Sequence, residues 1–423
     1  MPKTHYGTSF WLDRFPTSRR PSYPRHRGTL QTEIAIVGGG ALGCITAYVL
    51  AAAGIDVALF EQGRIAHSQA ARAAGIVVHE PEPFFYKLAK QHGVRDARHI
   101  FQTVRRGSLE YLSAVKRLRI ECGLQIRDAI HFSSSQDGIQ ELQKEYHARR
   151  EAGVDVASLK GAPLTRQIGA SGFGLITHGN ASVDPYRATI GFARAAAARG
   201  AKIFEQTRVT RIRPGRRTVD IKTDNGVVTA SKVVVATGYP TDDFKPLHRR
   251  FARTNTYVVL TPELPAAIRR EMTSVSFDAG QATSRDSRAA DVILRDTAGP
   301  DHWMHWIGNR VLFAGGDQPK VADRARERAL VQRTGQLMYE LSVMRHAISG
   351  LMPEYSWDVE SSRTIDGVPY FGPHRNYPHH YFAFSGGTGG LGLSFAAARI
   401  ILRHYQGTPD KSDEPLSFTR IRE

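Results

Sequence analysis

Thr32–Val37 reads TEIAIV, a mainly β-branched, apolar run of the kind that forms a buried strand in a parallel sheet. Ala41–Ala53, rich in Ala and Leu, predicts a helix that stops at Gly54 in the C′ position. Asp56–Phe60 predicts a second strand and runs into Glu61. Lys202–Val209 has strand character, and Lys232–Ala236 (KVVVA) predicts a further buried strand ending at Thr237-Gly238. Asp301–Ile307 (DHWMHWI) predicts a strand leading into Arg310–Gly316. Its alternation puts His302, Met304 and Trp306 on one face and Trp303 and His305 on the other. Val321–His346 carries Leu330, Leu337, Leu341 and Met344 at near-helical spacing, a stripe suited to a core. Near the end, Tyr381–Phe384 leads through the glycine-rich turn Gly386–Gly392 into an apolar helix, Leu393–Tyr405. No apolar run approaches the roughly 18–20 residues needed to span a bilayer.

The first of these elements form an ordered set. Strand, glycine turn, helix, strand and acid follow one another within 30 residues, Glu61 lying eighteen residues beyond Gly43. A dinucleotide needs each piece. Gly38 permits the tight turn, Gly40 lets the pyrophosphate reach the backbone, and Gly43 lets helix and strand pack closely. Ala41 and Leu42 open the helix, whose N-terminus faces the phosphate charge. Glu61, with Gln62 beside it, suits the adenosine ribose hydroxyls, and an acid there argues against a 2′-phosphate and so against NADP.

Composition narrows the class without naming a partner. The chain has 423 residues, 39 glycines and 21 prolines, which suits two intertwined globular domains. Cys44 and Cys122 are the only cysteines, in no metal or CxxC spacing, so no disulfide scaffold or metal site is expected and a reducing, cytoplasmic setting is the default. The net charge is +17, yet its tightest cluster, Arg208, Arg211, Arg213, Arg216 and Arg217, reads as a solvated strand-and-turn surface. Nucleic acid is therefore not expected as a partner, while an anionic small molecule remains open. Residues 1–28 carry Lys3, Arg14, Arg19, Arg20, Arg25 and Arg27 against Asp13. Phe10, Trp11, Pro16, Pro21, Tyr23 and Pro24 interrupt any transit-peptide helix, so an extended N-terminal arm is expected.

A second glycine turn, far from the first, suits a long, two-ended ligand such as FAD better than NAD. Between the two lie SQAARAAG at Ser68–Gly75, SVDPYR at Ser182–Arg187, VVVATG at Val233–Gly238, RVLFAGGD at Arg310–Asp317 and DGVPYFGP at Asp366–Pro373. With IAIVGGGALG at Ile34–Gly43 and FSGGTGGLG at Phe384–Gly392, these make the chain resemble the D-amino-acid-oxidase-like (DAO) superfamily of FAD-dependent oxidoreductases over nearly its whole length. SFWLD at Ser9–Asp13 resembles the arm of its γ-glutamylputrescine-oxidase-like branch, which stands beside the glycine-oxidase-like one.

The resemblance implies an α/β fold, with a Rossmann-like FAD-binding domain assembled from 29–80, 184–242 and 350–423. A discontinuous α+β substrate domain on a mostly antiparallel sheet would come from 81–183 and 243–349. It implies FAD contacts at Ser68, Ala71, Arg72, Ala74 and Gly75, at Val209, and at Ala236, Thr237 and Gly238. Further contacts fall on the second turn, at Gly387, Gly389, Gly390, Leu391 and Gly392. Some relatives tether flavin through a His where this chain has Arg72, others through a Cys near the C-terminal motifs where it has none, so FAD is expected to be non-covalent. The branch tends to carry glycines after the Trp ahead of its DGxP segment; here Trp357 is followed by Asp358 and Val359.

The implied activity is oxidation of a C–N bond in a small amine or amino acid by hydride transfer to flavin N5, the imine then being hydrolysed. Oxygen or another acceptor would reoxidise the flavin, and a homo-oligomer is possible. His302, His305, Tyr257 and His79 are the candidate catalytic residues, as cation–π walls or proton acceptors; ordinary core packing is the competing reading for each. Arg363 is a candidate carboxylate clamp. The rival readings are a tRNA-modifying oxidoreductase of the same superfamily and a flavin-bound subunit without catalysis.

Overall fold

The computed structural model describes residues 3–273, 292–297, 301–384 and 390–420. Two sheets carry the fold. The first has the order Tyr370–His374, Tyr377–Phe384, Gly226–Val235, Gly28–Val37, Val57–Phe60, Lys202–Phe204. Along this order the pairings from Tyr377–Phe384 to Lys202–Phe204 are parallel and the strand at Tyr370–His374 closes the edge antiparallel, while Val219–Thr223 and then Val209–Pro214 add antiparallel beside Gly226–Val235. Ile34, Ala35 and Ile36 are fully buried, as a strand covered on both faces requires. The helix Ala41–Ala52 follows directly, buried along most of its length, and packs against the helices Pro185–Ala197 and Gly390–Tyr405.

The second sheet is mostly antiparallel. Its core path runs Tyr355–Thr364, Phe251–Leu260, Arg310–Pro319, His302–Ile307, Val292–Asp296, Gln125–Ser133, Phe173–Ser182, Ile76–Val77. The helix Asp323–Met344 lies on one face and buries Leu330, Thr334, Leu337, Met338 and Leu341 there. Met304, Trp306, Tyr257 and Val259 meet it in one apolar cluster, whereas Trp303 packs with Ile76, Val78 and Ile293. The alternation expected of DHWMHWI is thus realised.

The sheets divide the chain differently from the sequence boundaries. Tyr355–Thr364, placed with the FAD-binding part by the boundary at 350, pairs along Phe251–Leu260 in the second sheet. Ile76–Val77 also pairs there, with Ser182 and Ala181. Conversely Val94–Arg117, inside the expected substrate domain, packs on the Gly390–Tyr405 helix of the first sheet's layer. Gly107 makes that approach possible, since a Cβ on it would sit 2.7 Å from the Gly392 carbonyl oxygen. Lys202–Val209 is not one strand: it breaks between Lys202–Phe204 and Val209–Pro214.

The arm is ordered. His5–Tyr6 pairs parallel with Tyr355–Ser356, and Phe10–Asp13 forms one helical turn capped by the Ser9 side chain. No helix among the described residues is long and apolar enough to cross a membrane.

Candidate active site

A cavity of about 650 Å³ lies between the two sheets, walled by residues from both. One end is the first glycine turn. Gly38 has φ +112°, and a Cβ there would stand 2.5 Å from the Ala236 carbonyl oxygen, so only glycine fits. Gly40 caps the helix Ala41–Ala52 without a side chain, and a Cβ on it would meet nothing nearer than Ser68 Oγ at 3.6 Å. The helix therefore offers its first N–H groups to the cavity through an open approach, the donor set an anionic phosphate takes. Glu61 stands beside it, its carboxylate accepting from the N–H of Gly39 at 2.7 Å and of Gly63 at 2.8 Å.

From there the wall passes along Ser68–Gly75 and across Thr207, Val209 and Ala236–Thr241. The second sheet supplies Thr256, Val258, Trp303, Ala314 and Val359, an apolar face suited to a flat ring. Arg72, Arg253, Arg326 and Arg363 line it as well, each with an acidic partner. Trp303 also lines a second cavity of only about 30 Å³, together with Glu80, Glu82, His131 and Arg295. The Arg295 guanidinium sits 5.2 Å from the Trp303 ring centre, a cation–π contact.

A nucleotide-sized cavity that begins on a helix N-terminus and ends on an apolar sheet face is the setting of a flavin. The sequence matches the DAO family, described as FAD dependent oxidoreductase, over residues 33–403. This chain belongs to that family. The gamma-glutamylputrescine oxidoreductase of Escherichia coli (strain K12) is 24% identical over 390 residues, 91% of this chain and 86% of that one. The glycine oxidase of Bacillus subtilis (strain 168) is 26% identical over 382 residues, 87% of this chain and 91% of that one. The crystal structure of glycine oxidase from Geobacillus kaustophilus superposes with a TM-score of 0.73 at 20% identity, covering 93% of this chain and all of the other.

This DAO-family enzyme binds FAD, and the residues present fit it: an open Gly40, free helix-end donors and an acid at the second strand's tip. FAD supplies the two-electron acceptor. Neither a cysteine nor a histidine lines the cavity among the described residues, and both cysteines are buried elsewhere, which accords with non-covalent binding.

Of the expected cofactor contacts, Gly38, Gly40, Ala41, Leu42, Glu61, Gln62, Ser68, Arg72, Ala74 and Gly75 line the cavity. So do Val209, Ala236, Thr237, Gly238, Gly390 and Leu391. Gly43 does not: its missing Cβ would fall 1.8 Å from the Gly38 carbonyl oxygen, so it serves strand–helix packing. Gly392 faces Ser108 on the helix Val94–Arg117, with a Cβ position 2.1 Å from Ser108 Oγ. Ala71 is fully buried behind the wall. Gly387 and Gly389 lie outside the described residues.

The four catalytic candidates line neither cavity. Tyr257 faces the Asp323–Met344 helix, where its hydroxyl accepts from Gln318 Nε2. His302 stacks on Phe313 with ring centres 4.8 Å apart and comes within 2.9 Å of Glu340, though out of hydrogen-bond alignment. Alternation told which residues share a face but not which face meets the cofactor. His79 is buried, its backbone N–H donating to Asn180 Oδ1 at 2.9 Å, and burial holds its imidazole pKa down. His305 is 1% exposed, and burial lowers its pKa to about 4, so it is neutral. Its Nε2 lies 2.8 Å from the Ala74 carbonyl oxygen, directly behind the cavity wall. Arg363 is already engaged, 2.8 Å from Glu82 and 2.5 Å from Asp317.

Trp303, Thr256, Val258, Ala314, Val359 and Arg326 are among the wall residues the motifs did not single out as cofactor contacts. Only Trp303 had a visible signal, the aromatic pair in DHWMHWI; the rest are ordinary strand and helix positions whose role depends on the fold.

Proposed function

We propose that this enzyme oxidises a C–N bond of a small amine or amino acid, with FAD as the hydride acceptor. The observation that supports this best is the largely apolar wall of Thr256, Val258, Trp303 and Ala314 that the second sheet gives the nucleotide cavity. A flat ring packed on such a wall is shielded from water on that side, where a small substrate would meet it. Loss of hydride from the carbon and a proton from nitrogen gives an imine, which water splits into a carbonyl compound and an amine. The relatives named for gamma-glutamylputrescine and for glycine support the substrate class, both being amines. Two free, buried cysteines accord with a cytoplasmic setting.

The test is anaerobic reduction of the purified yellow protein by a panel of primary, secondary and polyamines and of amino acids. Bleaching of the flavin by at least one class, with matching imine hydrolysis products, is expected. A flavin that dithionite reduces but no amine or amino acid bleaches would end this reading.

A further inference from the structure

Residues Ser68–Gly75, Ala71 excepted, line the cavity, yet they contain no strand and only one turn of 3-10 helix, Gln69–Ala71. Something other than a ladder must fix their backbone. Four consecutive carbonyls are each held by a different side chain. The Ala71 oxygen accepts from Ser9 Oγ, that of Arg72 from Trp357 Nε1 at 2.7 Å, and that of Ala73 from Trp11 Nε1 at 2.9 Å. The Ala74 oxygen accepts from His305 Nε2 at 2.8 Å. A neutral imidazole has one N–H, and this shorter of its two carbonyl contacts assigns the proton to Nε2. All four donors are buried: Ser9 and Trp11 come from the N-terminal arm, Trp357 and His305 from two strands of the second sheet.

The peptide units are trans, so a carbonyl tied to one side turns the next N–H to the other. The N–H groups of Arg72 and Ala73 close onto the Gln69 oxygen at 3.0 and 2.9 Å. Those of Ala74 and Gly75 have no protein partner among the described residues, and both residues line the cavity. The Trp11 ring backs the same point, 3.1 Å from where a Cβ on Gly75 would be.

We propose that Ser9, Trp11, Trp357 and His305 are positioning residues: by pinning the carbonyls of 71–74 they aim the Ala74 and Gly75 N–H groups into the cavity, at the acceptor edge of the flavin ring. The arm is then part of the cofactor site although none of its described residues lines the cavity. Two preorganised donors hold bound FAD and favour negative charge on the reduced ring. The inference rests on FAD binding and is independent of which substrate is oxidised.

Trp11→Phe keeps an aromatic ring at this position while deleting the N–H and the outer part of the indole, and Ser9→Ala, which removes only a hydroxyl, is measured beside it. Apo-protein is titrated with FAD by quenching of flavin fluorescence, and the midpoint potential of the bound flavin is measured, with no amine present. Expected are FAD binding weaker by about tenfold, within the range for an unsatisfied buried carbonyl, and a potential shifted negative. An apo-protein that melts earlier but binds FAD within twofold of wild type at an unchanged potential would overturn the proposal and make the contact merely structural. If Trp11→Phe does not fold, Ser9→Ala decides on the same two readouts.

Discussion

Asp358 and Arg326 meet in a two-point contact, Oδ2 to Nε at 2.8 Å and Oδ1 to Nη2 at 3.0 Å. Asp358 is buried, also accepts from Asn255 Nδ2 at 2.8 Å, and lies 3.5 Å from Arg72 Nη1. This buried carboxylate therefore gathers two arginines onto the cavity wall. Asp358→Asn removes the charge that both share. The expected cost is about 1–3 kcal/mol of unfolding free energy, as for a buried charged hydrogen bond, together with weaker FAD retention. Urea unfolding of the apo-protein checks the first; an unchanged midpoint would show the arginines to be held by other contacts.

The glycines of the first turn separate folding from binding. Gly43→Ala forces a methyl to 1.8 Å from a backbone oxygen, so strand and helix must part and the protein is expected to fold poorly or not at all. Gly40→Ala has open space, so the apo-protein should melt within about 3 °C of wild type, a small stability change. Its methyl nevertheless occupies the phosphate approach, and FAD affinity is expected to fall at least about tenfold. Equal damage from both substitutions, in melting and in FAD titration, would contradict the assignment.

How far the sequence could be read depended on the distance over which each feature is encoded. The Gly38–Gly43 turn, its flanking strands and Glu61 sit within one βαβ unit, so local pattern sufficed. Ser9 and Trp11 lie 62 residues from the carbonyls they hold, and Asp358 lies 103 from Asn255; such pairs leave no periodic trace. Gly392 resembled a cofactor glycine because a tight turn and a close helix crossing demand the same residue, and only the placement of Ser108 tells them apart. The boundary at 350 missed because Tyr355–Thr364 pairs with Phe251–Leu260, a partner about a hundred residues back.

His305 also makes a pH-dependent prediction. Burial, with a smaller contribution from the Arg127 charge, depresses its pKa to about 4, against about 6.5 in an unfolded chain. Between those values the unfolded state binds a proton that the folded state refuses. The stability contributed by neutral His305 is therefore complete above pH 6.5 and is lost as pH falls through about 4. His305→Gln carries no such proton. The gap in unfolding free energy between wild type and variant should shrink on acidification, by up to about 1.4 kcal/mol per pH unit. A gap that stays constant from pH 7.5 to 4.5 would mean that His305 titrates normally in the folded protein.

Trp303 is the partition between the large cavity and the small one lined by Glu80, Glu82, His131 and Arg295. The small cavity, at about 30 Å³, has room for about two waters and no larger group while the indole is in place. Trp303→Ala joins the two spaces and frees the Arg295 guanidinium from the ring. If substrate lies against this wall, removing the indole admits bulkier amines and loosens the grip on small ones. The expected change is a rise of about tenfold in the ratio of kcat/KM for a bulky over a small amine, the size of a pocket-shape effect. Trp303→Phe, which keeps a ring in the partition, should leave that ratio within about threefold of wild type. FAD content measured on each variant separates this from damage to the cofactor site. A ratio unmoved by Trp303→Ala, at full FAD occupancy, would place the substrate on another wall of the cavity.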